Sequence, residues 1–300
     1  MDLLPGLQDA FDSLVSMGTP PEGLSVAQRR AWMHERIDET FTSMGDERPP
    51  VASEVDRRIA VEGGEVTARV YRPDAEGALP GYLYLHGGGF WLGTLDQSDS
   101  ICRGVATDVG CVVVSVDYRL APEHKFPVAV EDSYAALLWL VDHADELGVD
   151  TSRLAVGGGS AGGNLAAVVA LMARERSGPP LALQVLEVGV FDFSRPGKEE
   201  YVDLYLGGAE HAVDPHASPL LSPDLSGLPP AVVTSAEYDR LRQEDADYAA
   251  RLREAGVAVE ERCWKGQFHG SMALAKLIPD EAREYHEMIV GALRRAYGRD

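Results

Sequence analysis

Basic residues are scarce in this chain. Against 48 Asp and Glu stand 27 Lys and Arg, for a formal net charge of −21. That balance argues against a nucleic-acid partner, whose phosphates must be neutralised, and against anionic membrane surfaces. Cysteine is rarer still. Cys102, Cys111 and Cys263 are an odd number with no metal-ligand spacing, so neither a disulfide framework nor a metal site is expected, and a reducing cytoplasm suits them. No apolar run is long enough to span a bilayer. The N-terminus has no basic segment ahead of an apolar one, so no secretory signal is expected. Neither G-x-x-x-x-G-K-[ST] nor a helix-opening G-x-G-x-x-G occurs, which removes the common nucleotide cradles.

What remains is a 300-residue chain, 45% hydrophobic, with material for a full core. Residues 1 to about 45 read as helical. Leu4, Leu7, Phe11, Leu14 and Val15 share one face, and Ser25 with Gln28 forms a capping box ahead of Val26, Met33, Ile37 and Phe41. Pro49-Pro50 closes this arm. Ser53–Glu62 and Val66–Tyr71 alternate around Gly63-Gly64, as in an antiparallel hairpin. From there the texture changes. Short apolar runs at Gly81–Leu85, Cys111–Val116, Leu154–Val156, Leu183–Val188 and Ala231–Ser235 are mostly separated by helical patterns, with a last strand expected over Val257–Trp264. Such runs are strands buried on both faces of a mostly parallel sheet. Val130, Tyr134, Leu137, Leu138 and Val141 mark one helix; Leu241–Ala255 and Glu281–Tyr297 mark two more.

The chain's chemistry centres on Gly158-Gly159-Ser160-Ala161-Gly162, between a strand and a good helix former. A serine on so sharp a turn presents its hydroxyl clear of the backbone, with first-turn N–H groups beside it. A hydroxyl needs a base to become a nucleophile, and the base needs an orienting acid. Of eight histidines, His269 follows the last strand in a Gly-flanked loop. His34, His143, His211, His216 and His286 sit on helices or polar connections and read as structural or solvated. For the acid, Asp239 opens a helix after a strand end and is preferred over Glu237 and Asp192. A third element, His86-Gly87-Gly88-Gly89, follows a buried strand and frees backbone N–H groups to surround an oxyanion together with that of Ala161.

His86-Gly87-Gly88-Gly89 upstream of Gly158-Gly159-Ser160-Ala161-Gly162 resembles the hormone-sensitive-lipase-like branch of the α/β-hydrolases. Asp117-Tyr118-Arg119-Leu120-Ala121-Pro122-Glu123, Ala236-Glu237-Tyr238-Asp239 and Phe268-His269-Gly270 are similar to further segments of that branch. The resemblance runs from about residue 55 to the end. It implies an α/β-hydrolase fold with helices on both faces and a small helical cap. Residues 1–48 would be an N-terminal arm within the cap, 49–300 the catalytic domain, and 193–217 a reduced second cap segment. It implies a Ser160–His269–Asp239 triad, oxyanion donors at Gly88, Gly89 and Ala161, and a loop shaped by Gly87. The implied activity is hydrolysis of short- to medium-chain esters without a cofactor. Amide, lactone or carbamate cleavage and acyl transfer remain alternatives on the same parts. A ligand receptor like the plant gibberellin receptors departs at the histidine, which this chain keeps.

Two departures stand out. Many members carry Asp or Glu before the nucleophile, where this chain has Gly159, suggesting a looser turn. The short 193–217 segment suggests a more open mouth, admitting bulky alcohol portions. Phe90, Trp91, Tyr205 and Leu206 are candidates for lining the substrate pocket. The last strand is a candidate edge for pairing two copies.

Overall fold

Gly63 and Gly64 let the chain reverse between two alternating stretches, giving the antiparallel pair β1 (Ser53–Val61) and β2 (Gly64–Arg72). The apolar runs become β3 (Leu79–Leu85), β4 (Val112–Asp117), β5 (Val149–Gly159), β6 (Leu183–Glu187), β7 (Ala231–Ala236) and β8 (Val259–Trp264). In this computed structural model, which describes residues 1–16, 20–45 and 49–299, they form one sheet ordered β1-β2-β4-β3-β5-β6-β7-β8. β2 meets β4 antiparallel, and every pairing from there to β8 is parallel. The side chains of residues 14–16 and 37–44 lie outside the description, those of Leu14, Val15, Ile37 and Phe41 among them.

Helices cover both faces. The chain order is α1 (Leu7–Ser16), α2 (Val26–Met44), α3 (Asp99–Val105), α4 (Val128–Asp142), α5 (Ala144–Leu147), α6 (Ala161–Glu175), α7 (Glu199–Tyr201), α8 (Arg242–Glu254) and α9 (Pro279–Ala296). Buried residues of α4, α6 and α8 join one face of the sheet in the larger core. On the other face, Cys102 and Val105 of α3 and Ile289 and Leu293 of α9 close over Tyr82, Tyr84 and Val113. No helix of the described residues is long and apolar enough to cross a membrane.

Several sequence expectations shift in detail. β5 starts at Val149 rather than Leu154, because Val149 pairs with Leu79 across a register shift. Leu138, assigned to the inner stripe of α4, is 38% exposed, while Ala136 and Leu140 are buried. The capping box forms as read: Ser25 N–H donates to Gln28 Oε1 (2.9 Å), and Gln28 N–H to Ser25 Oγ (3.3 Å).

The N-terminal arm splits between two places. Leu7 and Ala10 of α1 are buried with Phe268, Leu274 and Ile278 behind the loop that follows β8. The rings of Phe11 and Phe268 meet edge-on at 5.3 Å. Leu4 N–H donates to Gly266 O, 2.9 Å away. α2 instead lies across the loop after β3: Arg30 donates to Trp91 O and Ala121 O and pairs with Glu123.

Candidate active site

β5 enters the turn at Gly158, and α6 leaves it at Ala161. Between them Ser160 has φ 56° and ψ −115°, a region that costs a residue with a Cβ roughly 1–3 kcal/mol. Two backbone bonds hold it there: Ser160 N–H donates to Glu187 O at 2.7 Å, and Asn164 N–H to Ser160 O at 3.1 Å. The turn is wedged against the end of β3. A Cβ at Gly158 would lie 2.2 Å from Leu85 O, and one at Gly162 only 1.9 Å from it. Gly159 is different. A Cβ there would meet nothing closer than Glu187 O at 3.9 Å, so the tightness of the turn does not depend on it.

β7 and β8 bring the other two groups. Asp239 lies just after β7 with its side chain 1% exposed; its Oδ1 accepts the Leu241 N–H at 2.8 Å. Its Oδ2 lies 2.6 Å from His269 Nδ1, and His269 Nε2 lies 2.9 Å from Ser160 Oγ. Hydroxyl, imidazole and carboxylate are thus joined in line. With the Nδ1 proton turned to Asp239, Nε2 is left as the acceptor facing the hydroxyl. Glu237 and Asp192 do other things. Glu237 accepts the Gly266 N–H (2.9 Å) and pairs with Lys265 at the base of the histidine loop. Asp192 accepts from Ser194 and pairs with Arg195.

The glycine loop curls back on itself, with Leu92 N–H donating to Gly88 O at 2.8 Å. Gly88 (φ 124°) and Gly89 (φ 60°) occupy backbone space that favours glycine. Among the described residues, the N–H groups of Gly88, Gly89 and Ala161 donate to no acceptor. Gly87 packs against the turn, where a Cβ would lie 3.0 Å from Gly159 O. His86 braces the loop from behind. Its buried ring stacks on Tyr118 at 4.3 Å, its Nδ1 lies 2.7 Å from Gly87 O, and the Tyr118 hydroxyl donates to its carbonyl. Burial, helped by nearby His34 and opposed by the Gly87 contact, pushes His86 down to about 4, so the ring is neutral at pH 7.

These elements open into a cavity of about 1080 Å³. Trp32 and Met33 of α2 and Trp91 lie at its wall, as do Phe268 and Met272. Of the four residues expected to line the substrate pocket, Trp91 lies at the wall of this cavity. Phe90, Tyr205 and Leu206 do not, and that expectation is corrected. Phe90 has φ 67°, which turns its side chain into the core, where its ring stacks on Tyr205 at 3.8 Å; Leu206 is 1% exposed. From the 193–217 segment, Tyr201 is the residue that reaches the cavity. Sequence reasoning also passed over Arg30 and Glu187, neither of which carries a local pattern that marks it, and gave Tyr118 no individual role within the segment that contains it. No group of three or more His, Cys, Asp or Glu side chains arranged to hold a metal occurs among the described residues.

A mostly parallel eight-stranded sheet with an antiparallel leading hairpin, and a strained serine between its central strand and a helix, defines the α/β-hydrolase class. The family model for the alpha/beta hydrolase fold matches residues 82–273, and the chain belongs to that family, in its hormone-sensitive-lipase-like branch. It is 37% identical to carboxylesterase NlhH of Mycobacterium tuberculosis, over 98% of this chain and 96% of that one. With carboxylic ester hydrolase LipN of the same organism it shares 42% identity, over 80% of this chain and 69% of the relative. The solved hyperthermophilic esterase of the archaeon Pyrobaculum calidifontis superposes with a TM-score of 0.90 at 38% identity, covering 98% of this chain and 99% of that one.

Proposed function

We propose that this protein is a carboxylic ester hydrolase working through an acyl-enzyme. Ser160 Oγ attacks the ester carbonyl while His269 Nε2 takes its proton. Asp239 holds the imidazole by Nδ1 and stabilises the imidazolium that forms. The N–H groups of Gly88, Gly89 and Ala161 receive the oxyanion; one such donor is typically worth roughly 3 kcal/mol of barrier. His269 then returns the proton to the leaving alcohol, and water repeats the sequence to release the acid. The observation that carries this reading is the pair of hydrogen bonds, 2.9 and 2.6 Å, joining Ser160, His269 and Asp239. The names of the relatives, esterases and carboxylesterases, point the same way.

α2 serves as the cap over the cavity, with Tyr201 of the short 193–217 segment at its rim. Preferred acyl chains are short to medium, and the limited second segment leaves the mouth open to bulky alcohols. The test is turnover of p-nitrophenyl acetate and butanoate by wild type and Ser160→Ala. Wild type should hydrolyse both, and Ser160→Ala should lose at least about 10³-fold in kcat with its circular dichroism unchanged. Full activity in the variant would reject the mechanism.

A further inference from the structure

The cavity does not end at Ser160. It continues along the face of the sheet that α3 and α9 cover, where its walls are Tyr82, Tyr84, Glu187, Thr234, Trp264 and Tyr285. Four aromatic rings and one carboxyl are gathered there, and the triad uses none of them. Glu187 Oε2 accepts from the Tyr285 hydroxyl, which also lies 3.4 Å from Thr234 Oγ1. Among the described residues, Oε1 has no hydrogen-bond partner and no Lys, Arg or His pairs with the carboxyl. The basic side chains on the cavity wall, Arg36 and Lys276, come from α2 and the turn before α9.

A carboxyl left without a counter-charge in such surroundings costs stability that an aliphatic side chain would not. Burial pushes Glu187 up from the ordinary carboxylate range, against the pull of the Tyr285 hydroxyl. Among the described residues, what the Glu187 carboxyl lacks is a positively charged partner. Aromatic faces beside a carboxylate attract an ammonium through both the ring quadrupole and the charge. A net charge of −21 also raises the concentration of cations near the molecule. A neutral hydroxyl would satisfy one oxygen and leave the missing charge unmet.

We propose that this inner chamber is a subsite for an ammonium group carried by the ester, with Glu187 Oε1 as its counter-ion and Tyr84, Trp264 and Tyr285 as its aromatic walls. The inference rests on the ester hydrolase reading and supplies its substrate class: amine-bearing esters, with the amine on the acyl or the alcohol part.

Two pairs of shape-matched esters test it. The acyl pair is p-nitrophenyl 4-(trimethylammonio)butanoate against p-nitrophenyl 5,5-dimethylhexanoate. The alcohol pair is acetylcholine against 3,3-dimethylbutyl acetate. In one pair or both, the charged ester should have a kcat/KM at least about 10-fold higher, and Glu187→Gln should bring that ratio close to one. The pair that responds identifies which side of the ester enters the chamber. Ratios at or below one in both pairs, or a ratio that Glu187→Gln leaves unchanged, would overturn the proposal. Should Glu187→Gln not fold, Tyr84→Leu takes its place, with a ratio lowered at least about 3-fold.

Calorimetric titration with tetramethylammonium chloride reads the subsite without turnover. Binding should weaken about 10-fold or more in Glu187→Gln; absence of binding to wild type overturns the proposal. Failure of wild type to hydrolyse even the neutral esters would reject the hydrolase reading instead, with the titration still deciding the subsite.

Discussion

Arg30 Nε donates to Trp91 O at 2.7 Å while Nη2 of the same guanidinium donates to Ala121 O at 2.6 Å. One side chain of α2 thus clamps the glycine loop to the segment after β4. Both bonds are partly buried, and the charge is matched by Glu123. The clamp bears on the loop that presents Gly88 and Gly89.

Arg30→Ala should therefore lower kcat for p-nitrophenyl butanoate by about 10-fold, with KM moving less. The lost hydrogen bonds to a charged donor, typically about 1.5–3 kcal/mol each, should also lower the melting temperature. Arg30→Lys should recover only part of both, since an ammonium cannot reproduce the fork. Steady-state kinetics and calorimetry on the two variants check this.

Asp239→Asn should keep the fold and lower kcat by about 10⁴-fold. The amide leaves the imidazole in the wrong tautomer for accepting the Ser160 proton. A kcat within about 10-fold of wild type would count against the role given to Asp239.

The glycines of the serine turn should separate cleanly. Gly162→Ala places a methyl 1.9 Å from Leu85 O and should destabilise the protein by about 3 kcal/mol or prevent folding. Gly159→Ala meets ordinary contact distances, and activity and melting temperature should stay close to wild type. Urea unfolding of both variants is the measurement. The looser turn suggested by Gly159 in the sequence has no counterpart in this packing.

His86 makes acid costly. Held near 4 when folded, against 6.5 in a free chain, it binds fewer protons in the native state throughout that window. Its contribution to stability is intact above about pH 6.5 and is lost as pH falls toward 4, an effect on the order of 3 kcal/mol. Denaturant unfolding at pH 4.5 and 7 should show a smaller pH dependence for His86→Gln than for wild type. Equal dependence in the two proteins would remove His86 from the account.

How much of this was legible depends on whether a residue's role is local. Strands buried on both faces leave short apolar runs, so β3, β4, β6 and β7 read within a residue or two. α3 did not read, because its helix carries Asp99, Arg103 and Gly104 and is held by the bonds from Tyr71 and Arg103 to Asp99. The segments bearing Ser160, Asp239 and His269 are each marked by glycine or by a strand end, so the trio was legible piece by piece. Phe90, Tyr205 and Leu206 misled because an apolar residue near a reactive loop does not announce which side of the loop it takes. Arg30 and Glu187 act through partners 61 to 98 positions away, and no window of sequence contains such a relationship.

The packing of α1 behind the histidine loop has a temporal side. Leu7 and Phe11 are synthesised more than 200 residues ahead of Phe268, Leu274 and Ile278, which make their seat. A nascent chain that has already built β5 and the serine turn still has no wall for α1 and no loop to hold its base. On the proposed mechanism, turnover therefore waits until α1 and the histidine loop have met, and a chain stalled before His269 would carry the serine turn without its base.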